Sequence, residues 1–267
     1  MSIRVEKLQY TYPKAKDPII RDISFEVPDG SVTAVIGANG VGKSTMLKSM
    51  LGIFKGEGNV WFNGENRREM RHARLFGMVG YMTQENALLT SLSVLNVVLL
   101  GCLGTLNIRV SEEDIEKAFG ILRLLHLEEY AERPFYALSG GQRRMVDVAQ
   151  TLVRDPKILV MDEPTANLDL VNELQVLELV RAYTHGRNVS TLLTLHDLNM
   201  ASRYSDRLIL LKDGRVYREG TPAEVVTEEN IREAYGVEVH VHTSSRTGTP
   251  MLLPLKAVQE IRYDFQT

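Results

Sequence analysis

The sequence predicts an α/β protein with an antiparallel β layer ahead of a parallel core and a helical subdomain inserted into that core. Three observations predict it. Gly37–Thr45 reads GANGVGKST, between an apolar run and a stretch with helical apolar spacing. Ile158–Met161 is a continuous apolar run that stops at Asp162-Glu163, and the portion from Glu85 to Arg154 reads as mainly helical.

The glycine-rich stretch fits G-x-x-x-x-G-K-[ST]: Gly37 first, Ala38, Asn39, Gly40 and Val41 across the arch, Gly42 and Lys43 closing it, and Ser44 then Thr45 in the hydroxyl positions. Ahead of it Ser31–Ile36 ends in an apolar run suited to a buried strand. Behind it Met46, Leu47, Met50 and Leu51 recur at helical spacing, and Gly52 can end the helix. A triphosphate must be wrapped closely by backbone N–H groups, and glycine supplies the dihedrals and the close approach. The helix N-terminus and Lys43 add positive charge, and the Ser44 hydroxyl is the expected magnesium ligand.

Composition sets limits on the rest. At 267 residues, 44% hydrophobic and 24% charged, the chain can bury a full apolar core. Lys+Arg 31 against Asp+Glu 34 leaves a net charge of -3, which disfavours nucleic acid as a partner. Cys102 is the single cysteine, so no intrachain disulfide forms and a reducing compartment is expected. Met1–Tyr10 carries Arg4, Glu6 and Lys7 and does not read as a signal peptide. Ala87–Ile108 has no charge and approaches the length of a membrane span; its polar and glycine interruptions point instead to a surface for a partner.

In chain order, Ile23, Phe25 and Val27 alternate with polar residues, Asp29-Gly30 turns, and Val60 and Phe62 repeat the alternation before Asn63-Gly64. Tyr12, with Tyr10 as its rival, lies where a ring could stack on a base. Gly77–Thr83 is a short apolar segment ending at Gln84. Ser111 opens a helix whose apolar stripe is Ile115, Ala118, Phe119, Leu122 and Leu125. Leu138-Ser139-Gly140-Gly141-Gln142 has the spacing of a capping box, and its two glycines leave helix N-terminal N–H groups open to a second phosphate contact. Asp162 and Glu163, adjacent carboxylates at a buried strand end, suit a cation and a reaction: Asp162 for the magnesium shell, Glu163 to polarise water. Asp169 can cap the next helix, with Leu170, Leu174 and Leu177 on its buried side. Thr191–Leu195 is another strand and ends at His196, a position suited to the outer phosphate. A final hairpin spans Arg207–Glu219. Beyond Thr221 come one helix and an alternating segment, whose His240/His242 pair could bind a metal or simply form the polar face of an edge strand.

These residues, in this order, resemble the ATP-binding-cassette ATPases: GANGVGKST at Gly37–Thr45, Gln84 as the Q-loop glutamine, LSGGQ at Leu138–Gln142, ILVMDE at Ile158–Glu163, Asn167-Leu168-Asp169 as the D-loop and His196 as the switch histidine. The resemblance implies a P-loop NTPase (RecA-like) core from 1–84 and 155–220, a helical subdomain over 85–154 and a C-terminal extension over 221–267. It implies ATP and magnesium, the latter held by Ser44, Gln84 and Asp162, with Glu163, His196 and Gln84 catalytic and Tyr12 stacked on adenine. It further implies a second copy of the chain, with Ser139, Gly140, Gly141 and Gln142 acting in trans and Asp169 in contact across the dimer. Thr90–Gly101, His196–Asn199 and Gly220–Glu224 look most like cassettes serving uptake of iron-siderophore, haem or cobalamin. Polytopic permease subunits, an indirect substrate-binding protein and a peripheral position on the cytoplasmic face of the cell membrane follow from that likeness. The rival reading is a soluble cassette of iron–sulfur cluster assembly.

Overall fold

The computed structural model describes residues 2–84, 90–104 and 110–258. Alternation along β1 (Ile3–Tyr10) and β2 (Ile20–Val27) turns Ile3, Val5, Ile23 and Phe25 inward, and the two strands pair antiparallel. β3 (Val32–Gly37), buried throughout, leaves that layer and runs through the glycine loop into α1 (Lys43–Met50). β4 (Glu57–Phe62) returns to pair with β1. Asn63 and Gly64, both at positive φ, then make the tight turn into β5 (Glu65–Asn66), closing a sheet of order β2-β1-β4-β5.

α2 (His72–Met78) leads to β6 (Val79–Met82), after which come α3 (Val94–Leu100), α4 (Glu112–Leu124) and α5 (Gly140–Leu152). The chain then alternates through β7 (Ile158–Met161), α6 (Leu170–Arg187), β8 (Ser190–Thr194), α7 (Leu198–Tyr204) and β9 (Arg207–Lys212). β10 (Arg215–Gly220) adds an antiparallel edge, so the second sheet, among the described residues, has the order β10-β9-β3-β8-β7-β6. Because β8 separates β3 from β7, the loop after β3 opens beside the ends of β7 and β8. Open parallel sheets form their ligand crevices at such places.

The second sheet is covered on both faces. On one, Met46, Leu47 and Met50 of α1 are fully buried between Val5, Phe25 and Phe62 of the antiparallel layer and Val35, Val160 and Leu192 of the core. On the other, Ile36, Leu159, Met161 and Leu193 pack in one cluster with α5, α6 and α7. Each large side chain removed from water in this way stabilises the fold by about 1.5–3 kcal/mol. Capping fixes where helices begin. Ser111 with Asp114, and Ser139 with Gln142, close reciprocal boxes, while Asp169 accepts the Asn172 N–H at the start of α6.

Three expectations change. The uncharged run is covered in part by its own chain: Val94, Val97, Val98 and Leu99 of α3 are buried, with α3 packed on α5, while Ser91, Leu92, Asn96 and Leu100 are exposed among its described residues. Its remaining residues lie outside those described. No described helix is long and apolar enough to cross a membrane. Ile115 and Leu170 are exposed, because each sits in the first turn of its helix, ahead of the turns that pack; Ala118 and Leu122, and Val176, Leu177 and Val180, make the buried contacts. Beyond Thr221 there are two helices, α8 (Pro222–Val225) and α9 (Glu228–Tyr235), since Pro222 restarts the chain under its own capping box. The alternating segment β11 (Val237–Thr243) is an edge strand paired with β12 (Pro250–Ala257).

Leu122 is wholly buried where α3, α4 and α5 meet. Leu122→Ala is expected to lower unfolding free energy by about 2–5 kcal/mol, read from urea denaturation, with the far-ultraviolet circular dichroism of the folded chain retained.

Candidate active site

A cleft of about 420 Å³ opens over the glycine loop, bounded by Tyr12, Ile19, Lys43, Ser44, Thr45, Gln84, Glu163 and His196 together with Asn39, Gly40 and Gly42. The loop depends on its glycines at two points. Gly37 has φ +150° and a Cβ there would lie 2.7 Å from the Leu211 carbonyl oxygen; Gly42, at φ +109°, delivers the chain to the first residue of α1. Ala38 and Val41 face a groove on the other side of the loop, beside Lys212 and Glu233. The loop's back is held by the C-terminal extension. Burial pushes the Tyr235 hydroxyl pKa up, and the neighbouring Gly37 backbone acts in the opposite direction.

Lys43 is buried at 5% exposure, and its Nζ donates to the carbonyls of Gly37 at 2.7 Å and Ala38 at 3.3 Å. Desolvation pulls its pKa down, while the nearby Glu163 and Asp162 carboxylates act in the opposite direction. Tyr12 lines the cleft and its hydroxyl meets Thr45 Oγ1 at 2.8 Å, whereas Tyr10 is stacked on Phe54 with ring centroids 5.0 Å apart. The aromatic position beside the cleft is therefore Tyr12.

At the end of β7, Asp162 is fully buried. Its Oδ1 accepts from Ser44 Oγ at 3.0 Å and Thr194 Oγ1 at 2.8 Å, and its Oδ2 accepts no hydrogen bond from any described residue. A buried anionic oxygen without a donor is costly, and it fits a hard cation. Asp162, Ser44 and the amide of Gln84 supply the oxygen chemistry that magnesium takes. Glu163 adopts φ +50°, rare for a residue with a side chain, and its N–H donates to Thr194 Oγ1 at 2.8 Å. Its carboxylate accepts from Gln84 Nε2 at 2.8 Å and is paired with His196 Nε2. Gln84, Glu163 and His196, from three strand ends, thus meet in one cluster.

The signature segment lies elsewhere. Ser139 caps α5, a Cβ built on Gly140 meets no described atom within 4 Å, and Gly141 faces Asn167 and Leu168. Ser139, Gly140, Gly141, Gln142 and Asp169 do not line the cleft of their own chain. His240 and His242 lie far along the chain on β11, their rings 6.0 Å apart, with His240 Nδ1 3.1 Å from Glu228 Oε1. Among the described residues no group of three or more His, Cys, Asp or Glu is placed to hold a metal ion.

Sequence reasoning missed Thr194, Tyr235 and Arg144. Arg144 is 6% exposed on α5 and donates to the carbonyls of Thr83, Gln84, Asp162 and Glu163. Burial lowers its pKa, against the Asp147 carboxylate one turn on. A charged pair at i and i+3 inside an otherwise apolar stripe was the available signal.

Fold and cleft together define a P-loop nucleoside triphosphatase. A family model described as ABC transporter matches residues 20–166, and the chain belongs to the ABC transporter family. It is 38% identical over 256 residues to an uncharacterized ABC transporter ATP-binding protein of Methanocaldococcus jannaschii, covering 96% of this chain and 98% of that one. It is 32% identical over 257 residues to a petrobactin import ATP-binding protein of Bacillus anthracis, covering 95% and 94%. It is 34% identical over 248 residues to a phosphonates import ATP-binding protein of a Synechococcus strain, covering 88% and 91%. Among solved structures, a dimeric ATP-binding cassette in a post-hydrolysis state bound to ADP and phosphate superposes with TM-score 0.74 at 27% identity, over 82% of this chain and 98% of that one. The chain is an ATP-binding cassette ATPase.

Lys43→Ala is expected to weaken ATP binding roughly 10- to 100-fold, from the ~1.5–3 kcal/mol that a hydrogen bond to a charged group contributes. Titration with a fluorescent ATP analogue measures it, and unaltered affinity would remove Lys43 from the triphosphate site.

Proposed function

We propose that this chain is the ATP-hydrolysing subunit of an ABC importer and works as a pair of identical copies beneath polytopic permease subunits. The observation that carries the reading is the separation within one chain: the cleft gathers Lys43, Ser44, Gln84, Glu163 and His196, with Asp162 buried behind Ser44, while the capped, unobstructed N-terminus of α5 stands outside it. A γ-phosphate in the cleft gains its second set of N–H donors only from Ser139, Gly140 and Gly141 of another copy, with Gln142 capping that helix and Asp169 at the dimer contact. Two copies make two sites.

Within each site the triphosphate lies over Gly37, Ala38, Asn39, Gly40, Val41, Gly42 and Thr45, its adenine against Tyr12. Lys43 neutralises the outer phosphates. Magnesium, when bound, lowers the charge of the β- and γ-oxygens, and Ser44, Asp162 and Gln84 would hold it. Glu163 accepts the proton of the attacking water, its carboxylate aimed by the Gln84 amide, and His196 reaches the γ-phosphate. Closure of the pair on ATP and reopening after hydrolysis drive the helical subdomain over 85–154 against the permease, on the cytoplasmic face of the membrane.

The transported class is an iron complex, haem or cobalamin. Petrobactin, a siderophore in the name of one relative, supports this, and a phosphonate importer of comparable similarity is the competing assignment. Purification of the chain from solubilised membranes, followed by transport assays of the co-purified permease with a ferric chelate and with a phosphonate, separates the two. Soluble partners alone would return the chain to the cluster-assembly reading.

Glu163→Gln is expected to retain ATP binding, to lose about 10²- to 10⁴-fold in kcat and to accumulate an ATP-bound dimer. Phosphate release and light scattering report these; turnover at the wild-type rate would take the general base away from Glu163.

A further inference from the structure

Arg144 occupies the one place where three functional segments meet. It sits in the second turn of α5, the helix whose N-terminus is Ser139–Gln142. From there its Nη1 donates to the carbonyls of Thr83 at 2.8 Å and Gln84 at 3.0 Å, just past β6. Its Nη2 donates to the carbonyl of Asp162 at 2.6 Å and to that of Glu163. One planar guanidinium therefore ties the backbones carrying Gln84 and Glu163 to each other and to the signature helix.

The fork of a guanidinium fixes direction as well as distance, unlike the freely turning ammonium of lysine. The Glu163 backbone needs such support because its φ of +50° is an unfavourable conformation for a residue with a side chain, stable only when its surroundings over-determine it. Thr194 Oγ1 fixes its N–H, and Arg144 fixes its carbonyl. Asp147, only 7% exposed and acting electrostatically on Arg144, offsets part of the cost of burying the cation.

We infer that Arg144 is a positioning residue that couples the two ATP sites: displacement of α5 as its N-terminus engages the partner copy's triphosphate is transmitted through Arg144 to Gln84 and Glu163 of its own chain. This rests on the proposed action of Ser139–Gln142 in trans. Occupancy of one site then sets the geometry of the general base in the other. The route is contiguous and mechanical: helix N-terminus, one helical turn, guanidinium, and the backbone on which the carboxylate stands.

The test compares Arg144→Ala and Arg144→Lys with the wild-type chain in ATP affinity, kcat and the Hill coefficient for ATP, with folding checked by thermal unfolding. Both variants are expected to bind ATP within about twofold of wild type and to lose roughly 10- to 100-fold in kcat, the scale of a small misplacement of a reacting group. Their Hill coefficient is expected to fall to about 1 from a value above 1 in the wild-type chain. Millimolar guanidinium is expected to restore Arg144→Ala several-fold, whereas equal sodium chloride does not. A folded Arg144→Lys with wild-type kcat, or a lowered kcat with unaltered cooperativity, overturns the coupling. Ser139→Arg, run alongside, separates the two readings: if it leaves turnover intact, action in trans fails and the coupling falls with it. If it abolishes turnover while the Arg144 variants behave as wild type, only the coupling falls.

Discussion

Asp162 Oδ1 accepts from Ser44 on the nucleotide-loop helix and from Thr194 at the end of β8, while Asp162 itself ends β7. A single buried oxygen thus fixes three elements whose relative placement decides whether a cleft exists at all. The arrangement places a carboxylate in the interior, which water would otherwise stabilise strongly, and the offsetting attraction comes from hydroxyl donors and the nearby buried Lys43. Its second oxygen, unpaired among the described residues, is the remaining imbalance, and it suits a hard cation. Stability and function are set against each other at the same atom.

Much of this was legible in the sequence because the responsible signals are local. GANGVGKST, the Asp162-Glu163 pair after four apolar residues, Gln84 after an apolar segment and His196 after another each mark a strand end, and a parallel sheet brings strand ends together. The capping residues Ser111, Ser139 and Asp169 were legible for the same reason: a cap acts within three residues. What was not legible depends on partners distant in sequence. Thr194 reads as one more β-branched residue of a buried strand until Asp162 is placed beside it, and the partners of Arg144 emerge only when its helix is laid over the ends of β6 and β7. The burial of Val94, Val97, Val98 and Leu99 within the uncharged run Ala87–Ile108 was hidden for the same reason. Absence of charge reports that a segment avoids water, without saying whether it is covered by its own chain or by another.

The two sheets also divide labour. The antiparallel layer supplies Tyr12 and clamps α1 from outside, whereas the parallel sheet supplies every ionisable group of the cleft except Lys43, which α1 itself carries. Rigid burial of Met46, Leu47 and Met50 between them leaves the loop little freedom to follow its ligand. α3, α4 and α5 lie outside this sandwich and pack into the cluster on its far side.

Tyr235 gives the C-terminal extension a standing that its position in the chain does not suggest. With its hydroxyl beside the Gly37 backbone and its ring partly buried against the core, Tyr235 sets α9 behind the nucleotide loop, although it is separated from it by nearly the whole polypeptide. Any shortened version of this protein that stops at the end of the last core strand would leave that helix missing. A cut after α9 would keep that helix and lose a different set of ties, those of β12 to α7, where Asn199 bonds the Leu252 backbone and Ser202 donates to the Pro250 carbonyl.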